Sequence, residues 1–173
     1  MRTAKPYPAV AAILAVLIAA TSCHRSRPQA GASAPDFRLN DLTGRTVFLN
    51  ANLHTPVVLT FFATWCAPCR EEIPLLVDLN LKYTGKVSIL CVDVDPENID
   101  KIHSIASGLS IPYPFLLDEG RRTMDRYGVR ELPATFLIDT NGRILSKYGM
   151  LNETGLRSLS EQIERLASAP HGN

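Results

Sequence analysis

The segment Thr64-Trp65-Cys66-Ala67-Pro68-Cys69-Arg70-Glu71-Glu72-Ile73-Pro74 constrains this chain more than any other. The residues before it, Val57-Val58-Leu59-Thr60-Phe61-Phe62-Ala63, form a nearly continuous β-branched and aromatic run. That is the pattern of a central strand covered on both faces. From Cys66 to about Tyr83 the pattern changes, with Ile73, Leu76, Leu79 and Tyr83 at helical spacing and Leu75 and Val77 as a second apolar flank. A doubly covered strand running into a helix requires a layered α/β arrangement. Cys66 and Cys69 stand at the handover. A Cys-x-x-Cys pair in that position reads as a dithiol redox motif, although the same spacing also serves as half of a zinc site.

The rest of the chain extends the plan. Thr46 to Asn50, after the turn at Thr43-Gly44, is expected to be a short first strand, and Val87 to Val92 a second buried strand. Asp95-Pro96 is a helix start signal, followed by Ile99, Ile102, Ile105, Ala106 and Leu109 on one face. Phe115 to Asp118 is expected as a short strand and Arg121 to Tyr127 as a short helix stopped by Gly128. Leu132 to Asp139 is a proline-led apolar strand. Asn141-Gly142 predicts a two-residue hairpin turn, with Arg143 to Gly149 returning as an edge partner. A final helix begins near Asn152, with Leu156, Leu159, Ile163 and Leu166 on one face. Pro68 is harmless in a first helical turn, whereas Pro74 lies inside the helix and predicts a kink. At 173 residues the chain can bury one core.

A cysteine attacks as its thiolate, and a free thiol near pKa 8.5 is mostly protonated at neutral pH. At a helix amino terminus, unpaired N–H groups and the positive end of the helix dipole stabilise the anion. Cys66 is therefore the candidate nucleophile. Cys69, three residues on, shares its helix face and is the candidate resolving thiol. A permanent structural disulfide is the first alternative, but so small a loop restricts the unfolded chain little. A closed zinc site needs four ligands, and the sequence has no second Cys-x-x-Cys and no paired histidine motif. His54 and His103 are isolated, and Cys91 reads as an apolar filler of its strand.

Trp-Cys-x-Pro-Cys at residues 65 to 69, the helix proline Pro74 and the Leu132-Pro133-Ala134-Thr135-Phe136-Leu137-Ile138-Asp139 segment together resemble the thioredoxin superfamily. More narrowly they resemble the TlpA/ResA-like (DsbE-like) thiol-disulfide oxidoreductases of the bacterial envelope, over about Ala34 to Ala167. The resemblance implies a thioredoxin-like three-layer α/β sandwich, with a mixed central β-sheet flanked by helices. It implies a cis Pro133 facing the dithiol, with Leu132 backbone groups aimed at a substrate chain; without it, a trans turn proline is an equal reading. Trp65 would shield Cys66 and offer a contact face, or simply pack on the core. Glu72 matches the glutamate of the family's Cys-x-x-Cys-x-x-Glu-x-Pro pattern and, partly buried, would accept and return the Cys69 proton. A solvated first-turn glutamate is the plainer reading and better describes Glu71. Thr60 stands where cytosolic thioredoxin has a buried aspartate, and Ala67 departs from the usual glycine or glutamate. No cofactor is expected beyond the redox-active Cys66–Cys69 disulfide. A thiol peroxidase would carry threonine three residues before the reactive cysteine, where this chain has Ala63. A copper-binding chaperone module of this fold would space its cysteines more widely and add a histidine.

The amino terminus sets the compartment. Arg2 and Lys5 precede an apolar run from Ala9 to Ala20, about twelve residues where a membrane-spanning helix needs about twenty, so 1–22 reads as a signal peptide. Ala20-Thr21-Ser22-Cys23 resembles a bacterial lipobox, which would lipidate Cys23; the alternative is plain secretion with an ordinary tail thiol. His24 rather than an aspartate after Cys23 would, by resemblance to lipoprotein sorting rules, favour the outer membrane in a two-membrane bacterium. Residues 23–34 are expected to be a flexible tether, 35–168 the domain and 169–173 a disordered tail. Without the leader the formal charge falls from +1 to about −1, leaving no basic footprint for nucleic acid. These features predict a lipid-anchored monomer with an exposed dithiol in the cell envelope. The family resemblance implies that it acts on protein thiols and disulfides, apocytochrome c cysteines among them, with electrons from a membrane thiol transporter.

Overall fold

The computed structural model describes residues 28–168. The signal-peptide, Cys23 and tail expectations lie outside those residues. Seven strands form one mixed sheet: β1 (Arg38–Asp41), β2 (Thr46–Phe48), β3 (Val57–Phe62), β4 (Ser88–Asp93), β5 (Phe115–Leu117), β6 (Ala134–Ile138) and β7 (Ile144–Tyr148). Their spatial order is β2-β1-β5-β4-β3-β6-β7. β3, β4 and β5 run parallel, while β6, β7, β1 and β2 are added antiparallel. The α-helices are α1 (Ala67–Lys82), α2 (Ile99–Gly108), α3 (Arg122–Arg126) and α4 (Glu153–Ser168). Among the described residues, no helix is long and apolar enough to cross a membrane.

β3 has no exposed residue, as its unbroken apolar run requires. Its pleat divides the core into two layers. On one face Phe61 packs against Tyr127 and Phe136, with ring centroids 5.4 and 5.9 Å away, so the chain leaving α3 closes that face. On the other face Phe62 meets Phe115 edge-on at 5.3 Å. Thr60 lies on that second face, in register with Cys91 of β4 and Thr135 of β6. The Thr135 hydroxyl donates to Thr60 Oγ1 at 2.9 Å, which satisfies both in a buried setting. α1 and α4 lie together, joined where the Tyr83 hydroxyl donates to Glu164 Oε1 at 2.6 Å.

Several expectations shift. β1 is an additional strand, hidden in the sequence because Arg38-Leu39-Asn40-Asp41 buries only Asp41. Asp41 folds the turn that follows: Oδ1 accepts from Thr43 N–H, Thr43 Oγ1 and Arg45 N–H. The Asp95-Pro96 start signal produces a 3-10 turn, Pro96–Asn98, before α2, and of the expected apolar face only Ile102 is buried. The hairpin between β6 and β7 is not the two-residue turn expected. Gly142 N–H donates to the Asp139 carbonyl, Asp139 N–H to the Arg143 carbonyl, and only Gly142, at φ 73°, is left-handed. Three residues make the loop, with Asp139 Oδ1 accepting from Asn141 and Arg143 N–H. The tether expected through residue 34 ends earlier. Gly31 N–H donates to the Ile144 carbonyl at 2.7 Å, Ile144 N–H to the Ala32 carbonyl at 2.9 Å and Ala34 N–H to the Gly142 carbonyl at 2.8 Å. The start of β7 would otherwise leave these backbone groups unpaired at a sheet edge.

Candidate active site

β3 delivers the chain to the dithiol through a tight turn in which Cys66 N–H donates to the Ala63 carbonyl at 3.1 Å. Cys66 is the N-cap of α1, with extended backbone, and its Sγ accepts from Cys69 N–H at 3.2 Å. The sulfur thus occupies the place that a capping oxygen takes in other helices, facing the unpaired N–H groups of the first turn. Cys66 and Cys69 are joined as a disulfide, with Cα atoms 5.3 Å apart. Two tethers fix the loop: Arg70 Nη1 donates to the Thr64 carbonyl at 2.8 Å, and the Thr64 hydroxyl donates to Asp95 Oδ2 at 3.1 Å.

The dithiol is less open than expected. Cys66 and Cys69 are 5% and 3% exposed, because Cys69 turns in toward the core and the Cys66 sulfur folds over the helix end. The surface around them belongs to Trp65, which is 58% exposed, and to Ala67 and Arg70. Trp65 is therefore not packed into the core.

Glu72 is 1% exposed, more deeply placed than the partial burial expected of it. Helical spacing sets it on the face of Cys69. One carboxylate oxygen accepts a hydrogen bond from Leu151 N–H, in the link between β7 and α4. Burial pushes its pKa up to about 7, with that N–H opposing the rise. Glu71 is exposed and lies beyond the first turn, so the helix dipole does little for it. Pro74 sits inside α1, which continues past it to Lys82.

The Leu132–Pro133 bond is cis. Leu132 and Pro133 line a groove of about 430 Å³ together with Pro68, Lys147, Tyr148 and Met150. The fold therefore brings Pro68, one of the two residues between the cysteines, beside a proline 65 positions later in the chain. Trp65 is not part of that groove.

Sequence reasoning missed three participants. Leu151 contributes only its backbone, and nothing in an apolar side chain signals that. Asp93 and Tyr113 are buried with polar oxygens that have no hydrogen-bond partner among the described residues. Asp93 had a signal, a carboxylate closing a buried strand, but it reads equally well as the start of a turn. Cys91 is free and buried as expected; burial, with Asp93 and Glu72 nearby, raises its proton affinity. Among the described residues, no group of three or more His, Cys, Asp or Glu is placed to hold a metal ion.

The chain has relatives among known proteins. A model of the AhpC/TSA family matches residues 30–147. The thiol-disulfide oxidoreductase ResA of Bacillus thuringiensis is 33% identical over 112 residues, which span 64% of this chain and 64% of that protein. The chain thus spans less than two thirds of the length of such relatives. A solved Chlorobium tepidum structure, described as a candidate thiol:disulfide interchange protein DsbE, superposes with a TM-score of 0.75 at 28% identity. It covers 82% of this chain and 99% of that one. A Bacteroides thetaiotaomicron structure, described as a candidate protein disulfide isomerase, superposes with a TM-score of 0.75 at 29% identity, over 83% and 93% of the two chains.

Proposed function

Because the chain belongs to the AhpC/TSA family and has a thioredoxin-like fold, we propose that it is a thiol-disulfide oxidoreductase whose reacting groups are Cys66, Cys69 and Glu72. The observation that carries the reading is the placing of Cys66 Sγ as the cap of α1, accepting the Cys69 N–H. In the reduced protein the same N–H groups favour a Cys66 thiolate. That thiolate attacks one sulfur of a substrate disulfide, forming a mixed disulfide and releasing the other substrate sulfur as a thiolate. Glu72, in its carboxylate form, takes the Cys69 proton, and Cys69 attacks Cys66 Sγ. The second substrate sulfur leaves, and the protein holds the Cys66–Cys69 disulfide. Two electrons have passed to the substrate, and an external dithiol must return them.

The groove of Leu132, Pro133 and Pro68 is where the substrate chain lies in this reading, with Trp65 as the contact face on the other side of Cys66. Cleavage after residue 22 and lipidation of Cys23 place the domain on the outer side of a membrane as a tethered monomer. Envelope protein disulfides, those of apocytochrome c among them, are then the substrates, and a membrane thiol transporter is the electron donor.

The test is disulfide exchange with a model protein disulfide. Cys66→Ser abolishes it, and Cys69→Ala in cells accumulates a mixed disulfide whose partner names the substrate. Exchange unchanged in Cys66→Ser, or peroxide consumption rivalling exchange in the unaltered protein, would overturn the reading. Ala63, where a thiol peroxidase carries threonine, favours exchange.

A further inference from the structure

The sheet face beneath α1 carries more polar groups than the exchange reaction uses. Register sets Cys91 beside Thr60 and Phe115 beside Cys91. The two-residue pleat then places Asp93 with Cys91 on that same face. The Tyr113 and Phe115 rings lie 6.3 Å apart, and Cys91 N–H donates to the Pro114 carbonyl at 3.1 Å, which holds the Tyr113 segment against β4. Thr60 and Thr135 satisfy each other. The Tyr113 hydroxyl, on a residue 6% exposed, has no partner among the described residues.

Glu72 looks onto this layer from α1. Cys69 shares its helix face, Leu151 N–H donates to it from the β7 to α4 link, and Cys91 of β4 and Tyr113 ahead of β5 lie within reach of its charge, with Asp93 two residues beyond Cys91. Burial, then Cys91 and Glu72, raise the proton affinity of Tyr113, so its hydroxyl stays protonated and remains a donor throughout the neutral range. Burial, Asp93 and Glu72 do the same for the Cys91 thiol. Among the described residues no Lys or Arg pairs with Glu72; the ion pairs present are Arg45 with Asp41 and Lys82 with Glu164. The Glu72 carboxylate, when it ionises, therefore has one peptide N–H as its donor and an unused hydroxyl within reach of its charge. A buried polar site with an unpartnered hydroxyl is where a bridging water is retained.

We propose that Tyr113 is a positioning residue for Glu72: its hydroxyl donates, through one bridging water, to the ionised carboxylate and so favours the form that accepts the Cys69 proton. The proposal rests on the reading of Glu72 as the base for Cys69. Phenylalanine at 113 keeps the ring against Phe115 and removes only the donor. Glu72 then holds its proton to higher pH, and the resolving step loses rate near neutrality while recovering in alkali.

The experiment measures single-turnover reduction of a model protein disulfide by the reduced full chain from pH 5.5 to 9, for the unaltered protein, Tyr113→Phe and Glu72→Gln. Tyr113→Phe should move the rising limb up by roughly one pH unit, giving about a fivefold loss at pH 7 and almost none at pH 9. Glu72→Gln should remove that limb. In the oxidised protein, the Glu72 carboxyl carbon followed by NMR should titrate at higher pH in Tyr113→Phe, a change that ring packing alone does not produce. If Glu72→Gln keeps the unaltered profile, the reading of Glu72 as base fails. If Glu72→Gln loses the limb while Tyr113→Phe overlays the unaltered protein in both rate profile and NMR midpoint, the role of Tyr113 fails and that of Glu72 stands.

Discussion

Asp93 should make this protein less stable at pH 8 than at pH 4, and Asp93→Asn should remove that penalty. The side chain is 0% exposed and neither carboxylate oxygen has a hydrogen-bond partner among the described residues. Burial is the main cause that lifts its pKa from 3.8 to about 7. The Asp95 and Asp118 carboxylates add to the rise, and the nearby Asp95 N–H relieves it in part without reaching hydrogen-bond geometry. The unfolded chain releases this proton near pH 4, while the folded chain keeps it to about 7. The stability that the protonated group allows is therefore complete below about pH 4 and is lost as pH rises to about 7. Three units at 1.36 kcal/mol each set the loss at about 4 kcal/mol. Asparagine stands in for the protonated acid. Urea unfolding of the oxidised protein at pH 4 and pH 8 should show Asp93→Asn gaining about 4 kcal/mol more, relative to the unaltered protein, at pH 8 than at pH 4. Any offset from the extra amide N–H is the same at both and cancels, as does the titration of Glu72. Parallel stability curves for the two proteins would refute the argument, because they would mean that Asp93 ionises as freely in the fold as outside it.

Glu72→Gln should slow resolution of the mixed disulfide roughly a hundredfold at pH 8; the gap should close by pH 5.5, where the native Glu72 holds its own proton, as stopped-flow rates would show. Gly142→Ala should destabilise by about 1–2 kcal/mol in urea unfolding, since φ is 73° and the new Cβ would meet Leu53 Cδ1 at 3.3 Å. Thr60→Val should cost about 1–2 kcal/mol, because it leaves the Thr135 hydroxyl buried without its acceptor; it should leave the pH dependence of exchange unchanged, since neither hydroxyl titrates.

The parts of the fold legible in the sequence are those where burial is two-sided. β3 could be read because all six of its residues must be apolar or paired, and β4 for nearly the same reason. β1 could not, since its burial alternates weakly and Asp41, its buried residue, is polar. The pairing of Gly31 to Ala34 with β7 was hidden for a related cause. It is made by backbone groups of a Ser, Ala and Gly stretch, and composition alone describes such a stretch as a linker. The hairpin turn shows a finer limit: Asn-Gly specifies a turn, but Asp139 decides which one by accepting two N–H groups across it.

The candidate site divides along the same line. Cys66, Cys69 and Glu72 follow one another at three-residue spacing along α1, so a linear reading finds them. Pro133 lies just ahead of β6, the strand beside β3, and only its resemblance to a family pattern pointed to it. What linear reading cannot supply is the environment that sets proton affinity. Glu71 and Glu72 are the same residue type at adjacent positions, yet one is solvated and the other is raised to about 7, because a helix turns adjacent side chains about 100° apart. That burial depends on Leu151, 79 residues later, and on the β4 and β5 residues beneath α1. The acid and base behaviour of the dithiol is thus a property of the closed core, and Asp93, Cys91 and Tyr113 belong to it although no motif includes them.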